Sequence, residues 1–144
     1  MSTGRLLAAL TAIAFLAIVV PFAAVRSLHE RRLSRVSADL DSLAPAASRA
    51  LTSAPAVNVL IGPGRVPMSS DPRWLDGPSY PLQNALDPAP VTPDPWGNGY
   101  VVNHRAGATA AVWLLSAGPD GTLQTPFDGS TSSTLGDDVG RRLR

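Results

Sequence analysis

The sequence predicts an α+β chain. A long N-terminal helix, its first half in a membrane and its second half amphipathic, packs on a small antiparallel β-sheet with long loops. Three patterns carry this expectation. Leu6–Val25 is a run of twenty residues without a charge. Leu33, Val36, Leu40, Leu43 and Ala47 recur at helical spacing. After Gly99, short apolar stretches alternate with glycine-marked turns.

After a short flank over residues 1–5, the run LLAALTAIAFLAIVVPFAAV is long enough for roughly 30 Å of helix, about one bilayer core. A cleaved secretory signal is the competing reading, but its apolar region is usually about 7–15 residues long. Phe22-Ala23-Ala24-Val25-Arg26 also offers no small-x-small cleavage motif. Pro21 falls late in the run, where a membrane helix accommodates a kink.

Residues 26–53 continue as an amphipathic helix. The stripe Leu33, Val36, Leu40, Leu43 and Ala47 shares one face, and Arg31, Arg32, Arg35, Asp39 and Asp41 fall largely elsewhere. Pro45 is expected to break or kink the helix near Leu43-Ala44 and then to suit the first turn of a restart. The stripe suits packing on neighbouring subunits and equally packing on the chain's own C-terminal domain.

Residues 54–99 hold ten prolines, from Pro55 to Pro95, which argue against regular helix. Val57–Ile61 suits one short strand. The rest is expected as ordered loop or linker, and Trp74, Tyr80 and Trp96 argue for order, because disordered segments are usually poor in aromatic residues.

From residue 100 the pattern is that of strands. Asn98-Gly99 signals a turn before Tyr100–Asn103, and His104–Ala108 forms a loop containing Gly107. Ala110–Ser116 is the strongest strand, with Val112 and Leu114 on one face and Ala111, Trp113 and Leu115 on the other. Both faces are apolar, which places it centrally and under the helix on one side. Gly118-Pro119-Asp120-Gly121 turns the chain, and residues 122–136, rich in Thr, Ser and Gly, are expected as loop.

Composition excludes several classes. No cysteine occurs, so disulfides, zinc–thiolate sites and thiol nucleophiles are ruled out. All twelve basic residues are arginine; residues 1–49 are net +3 and residues 54–144 net −2. The domain behind the helix is thus slightly acidic, unlike a nucleic-acid binder. The two histidines, His29 and His104, sit beside the apolar run and at a strand end, and no G-x-S-x-G, H-E-x-x-H, P-loop or dinucleotide motif appears. Neither an enzyme nor a small-molecule substrate is expected.

The aspartates Asp120, Asp128, Asp137 and Asp138 flank the Gly/Ser/Thr-rich stretch. Calcium takes about six to eight oxygen ligands, and a flexible loop with carboxylates and carbonyls can supply them. Aspartate and glycine are also ordinary turn residues, and the stretch does not match an EF-hand.

Four motifs then occur in order: Trp74-Leu75-Asp76-Gly77-Pro78-Ser79-Tyr80, Asp94-Pro95-Trp96-Gly97-Asn98-Gly99-Tyr100, Ser116-Ala117-Gly118-Pro119-Asp120-Gly121 and Asp137-Asp138-Val139. Over residues 72–139 the chain resembles the C-terminal domain of the major pseudopilin of type II secretion, general secretion pathway protein G. The resemblance implies a pilin-like fold, with an N-terminal helix in the bacterial inner membrane and a periplasmic sheet domain. It implies assembly of like subunits and other pseudopilins into a short pseudopilus that helps move proteins across the outer membrane. It further implies a structural calcium ion, held by Asp120 and one or both of Asp137 and Asp138, with backbone carbonyls near Leu115 and Ser116.

Two features depart from the family. Its members carry a basic leader ending in glycine, then an apolar helix with a glutamate a few residues in. Here Gly4 is followed by Arg5-Leu6-Leu7, and Glu30 is the first glutamate. Arg26, Arg31, Arg32 and Arg35 follow the apolar run, which on charge alone would hold the C-terminal domain in the cytoplasm. The resemblance implies the periplasmic side. A membrane-tethered accessory module that does not polymerise is the alternative.

Overall fold

The computed structural model describes residues 3–86, 90–106 and 110–144; in its first helix, side chains are described for Pro21 and from Ala23 onward. The side chains of most of the uncharged run Leu6–Val25, and Gly107-Ala108 of the expected loop, lie outside these bounds. Among the described residues no helix is long and apolar enough to cross a membrane.

The chain is α+β. Helix α1 spans Thr3–Ser53, and the chain divides into two units, residues 1–34 and 35–144. In the first unit, Arg26 and Glu30 pair across one helical turn at 3.0 Å, and Val25 and Leu28 are exposed. In the second, Val36, Leu40, Leu43, Ala47 and Ala50 of α1 are buried among Leu60, Leu82, Tyr100, Val102 and Leu114. Four of the five stripe residues therefore pack on the chain's own domain. Polar contacts flank this seam. Tyr100 donates its hydroxyl to Asp39 at 2.9 Å, and burial, with the Asp39 carboxylate beside it, pushes the phenol well above its usual range.

Pro45 does not end the helix. It is exposed, as is Asp41, whose carbonyl is the one a proline at 45 leaves without an N–H partner. The buried side chains before and after the proline, Leu43 and Ala47, hold the helix on its sheet.

Seven strands follow: β1 Val59–Ile61, β2 Met68–Ser69, β3 Ser79–Pro81, β4 Val101–Asn103, β5 Trp113–Ser116, β6 Thr122–Leu123 and β7 Val139–Arg142. The main sheet has the order β3-β1-β4-β5-β7. It is mixed, which corrects the antiparallel expectation. β1 and β3 run parallel, with Leu60 opposite Tyr80, and the other pairs are antiparallel. Residues 62–78 form the long crossover that a parallel pair requires. β2 and β6 make a separate parallel pair.

The proline-rich segment is also more structured than expected. A 3₁₀ turn covers Pro72–Trp74 and a one-turn helix, α2, covers Leu82–Ala85. Two of its prolines sit where they cost little: Pro72 in a first turn and Pro81 on an edge strand.

β5 is buried throughout and lies between β4 and β7. Val112 and Leu114 face the α1 side, whereas Ala111, Trp113 and Leu115 join Trp74, Leu123 and Phe127 on the other. Loops thus cover the second face. Trp74 meets Phe127 edge-on at 5.2 Å between ring centres and donates its indole N–H to the Thr125 carbonyl at 2.9 Å. Arg73 clamps this cover by reaching Asp71 at 2.8 Å and Asp128 at 3.0 Å. The Arg73 side chain, hydrogen-bonded to Asp71, holds that carboxyl at a pKa of about 2.

Candidate functional site

Two of the sequence motifs close on one another around a buried carboxylate. Asp94 is almost fully buried. Its Oδ1 accepts the N–H groups of Trp96 at 3.0 Å and Asn98 at 2.8 Å, which fixes the turn through Pro95 and Gly97. Its Oδ2 accepts the Ser116 hydroxyl at 2.6 Å, across from the end of β5. Asn98 continues the link, donating its side-chain amide to the Gly118 carbonyl at 3.0 Å. The charge on Asp94 is thereby met by N–H and O–H donors, the condition for keeping a carboxylate inside. The turn expected at Asn98-Gly99 lies earlier, at Asp94–Gly97, with the Gly97 N–H on the Asp94 carbonyl at 2.9 Å.

The expected calcium ligands lie around the turn that follows β5. Leu115 and Ser116 are in β5 itself, opposite Gly140 and Val139 of β7, and the Ser116 hydroxyl is turned to Asp94. Asp120 is exposed; Oδ1 accepts from the Thr122 N–H at 2.7 Å and Oδ2 from the Gln124 side-chain amide at 2.9 Å. The same Gln124 accepts the Asp137 N–H at 3.0 Å, so its side chain spans Asp120 and Asp137. Asp137 Oδ2 takes the Asp120 N–H at 3.3 Å. Gly118, at φ 62°, makes this approach possible, because a Cβ there would run into the Asp137 carbonyl.

Asp138 is buried, and its Oδ2 accepts from the N–H groups of Gln124 at 2.9 Å and Thr125 at 2.7 Å. Burial raises its pKa. Asp137 Oδ1 and Asp138 Oδ1 are buried with no hydrogen-bond partner. Two of the three expected carboxylates thus keep an oxygen without a hydrogen-bond partner, and both oxygens of the third are engaged. Among the described residues no group of three or more His, Cys, Asp or Glu side chains is disposed to hold a metal. Asp128 stands apart from this cluster, on Arg73; its carboxyl is held low chiefly by a side-chain hydrogen bond from Ser130.

Sequence reasoning missed Asn103. It is fully buried at the end of β4, and its amide donates to the carbonyls of Ala111 at 3.1 Å and Phe127 at 2.7 Å while accepting the Trp113 N–H at 2.7 Å. One side chain thereby replaces the ladder bonds that the loop after β4 interrupts. His104 contacts the Val57 carbonyl through Nδ1 at 3.0 Å. A carbonyl only accepts, so Nδ1 carries the proton, and the ring is oriented by backbone rather than by a carboxylate.

No family model, curated protein or solved structure matches this chain.

Proposed function

We propose that the chain is a pilin-like structural subunit of a type II secretion pseudopilus. Leu6–Val25 holds it in the bacterial inner membrane with the sheet domain in the periplasm, and copies assemble through the N-terminal helix with other pseudopilins. The observation that carries the reading is the junction at Asp94. It joins D-P-W-G-N to S-A-G-P-D-G by direct hydrogen bonds, so the two most specific motifs of the resemblance act as one structural unit. The α+β architecture, a long N-terminal helix on a sheet, agrees with it.

In this reading Asp120, Asp137 and Asp138, with carbonyls of Leu115 and Ser116, hold calcium. The ion would tie the loop between β6 and β7, supplying positive charge to the two open carboxylate oxygens. At a calcium concentration about a hundredfold above Kd the folded state gains about 2.7 kcal/mol. Thermal melts with calcium and with chelator are expected to differ, and Asp120→Ala to remove the difference. Identical melts of wild type in both conditions would sink the ion site.

The second reading, a membrane-tethered module that does not polymerise, is favoured by the absence of a glutamate between Gly4 and Glu30. Intact-protein mass spectrometry of membrane-extracted chain separates the two. Removal of the residues up to Gly4 supports the assembling subunit, and a chain that retains Met1 supports the tethered module.

A further inference from the structure

The two edges of the main sheet differ. β3 closes one edge with Pro81, which has no N–H to offer, and α2 begins at the next residue. β7 forms the other edge, and among the described residues no strand pairs with its outer side. Leu143 donates its N–H to the Val112 carbonyl at 2.8 Å, toward β5. Successive residues of an antiparallel strand direct their backbone groups to opposite sides, so those of Gly140 and Arg142 face outward.

The side chains along this edge specify an occupant. On the α1 face, Val139 and Arg141 border a cleft of about 160 Å³ with Ser37, Leu40 and Asp41, and Arg141 pairs with Asp41 at 3.1 Å. Arg142, opposite Trp113, belongs to the other face; its Nε donates to the main-chain oxygen of Arg144 at 2.9 Å. Among the described residues neither Arg142 nor Arg144 has an aspartate or glutamate partner. Arginines on an edge repel strands of like charge and admit those of opposite charge.

We propose that the outer edge of β7 captures an extended acidic peptide as an added strand, with an apolar side chain in the cleft beside α1 and carboxylates on Arg142 and Arg144. Backbone pairing supplies affinity, and the alternating side chains supply selectivity. The inference is independent of membrane anchoring and of calcium.

Fluorescence anisotropy of a labelled short peptide alternating aspartate with leucine, titrated with the full chain, tests it. The acidic peptide is expected to bind saturably, more weakly as salt rises. The double variant Arg142→Glu, Arg144→Glu, at exposed positions and checked for folding by circular dichroism, should weaken it about tenfold or more. The same peptide with lysine in place of aspartate should bind the double variant and not wild type. No binding of the acidic peptide, equal binding of both peptides, or binding unchanged in the double variant overturns the proposal. So does concentration-dependent self-association abolished by the double variant, because a second copy would then occupy the edge.

Discussion

Asp94 decides how the loops are held. Its two oxygens serve three strong donors, the Trp96 and Asn98 N–H groups and the Ser116 hydroxyl. Asp94→Ala leaves the Asn98 N–H and the Ser116 hydroxyl buried and unmet and the half-buried Trp96 N–H without its acceptor, at about 1–3 kcal/mol for each buried group, so a loss of roughly 4 kcal/mol is expected in denaturant melts. Asp94→Asn retains an acceptor for the two amides and should lose about half as much or less. Asp71 contributes to the acid limb. Its carboxyl is about 2 folded against 3.8 unfolded, chiefly through the hydrogen bond from Arg73. A depressed carboxyl stabilises above the unfolded value, and that contribution fades as pH falls from 3.8 toward about 2. Asp71→Asn is therefore expected to lower stability at pH 7 by about 1–2 kcal/mol and to flatten the acid limb of a pH–stability curve. None of these roles was legible in the residues themselves. An aspartate before a proline reads as a turn, and nothing local to Asp94 points to Ser116 on another element. Asn103 hides for the same reason: its partners Ala111 and Phe127 come from separate loops.

At the scale of elements, side-chain periodicity was the part the sequence expressed well. The α1 stripe and the two faces of β5 are where their spacing put them, because a buried helix face and a fully buried strand each impose a regular pattern on long apolar runs. β7 is different. Val-Gly-Arg-Arg carries one apolar residue, and its strand character comes from pairing with β5, with Gly140 packed closely on Leu115 and Thr134. The parallel β1–β3 pair was likewise invisible, since local pattern does not state strand direction. Pro45 was read as a helix breaker because propensity argues so; tertiary burial of Leu43 and Ala47 on either side overrides it. That override has a measurable cost. Pro45 is exposed and interrupts the helical hydrogen bonds, so Pro45→Ala is expected to stabilise the chain by about 1–3 kcal/mol in denaturant or thermal melts. A loss of stability would mean that the proline's fixed geometry is needed there.

For the molecule as a whole, the helix of residues 3–53 is the feature from which the proposed function extends. Its C-terminal part is committed to the chain's own sheet through Val36, Leu40, Leu43 and Ala47. Under the proposed function, assembly between copies would fall to the N-terminal part, where Leu6–Val25 is uncharged and Val25 and Leu28 are exposed. The chain has no cysteine, so a single introduced one reports on neighbours without background. Oxidative cross-linking of Ala14→Cys in intact membranes, expressed with the rest of the secretion machinery, tests assembly most directly. A polymerising pilin-like subunit predicts a ladder of species, beginning at the dimer and continuing upward when a second cysteine, Ile18→Cys, is added to the same helix. A chain that stays monomeric, or stops at the dimer with both cysteines present, contradicts it.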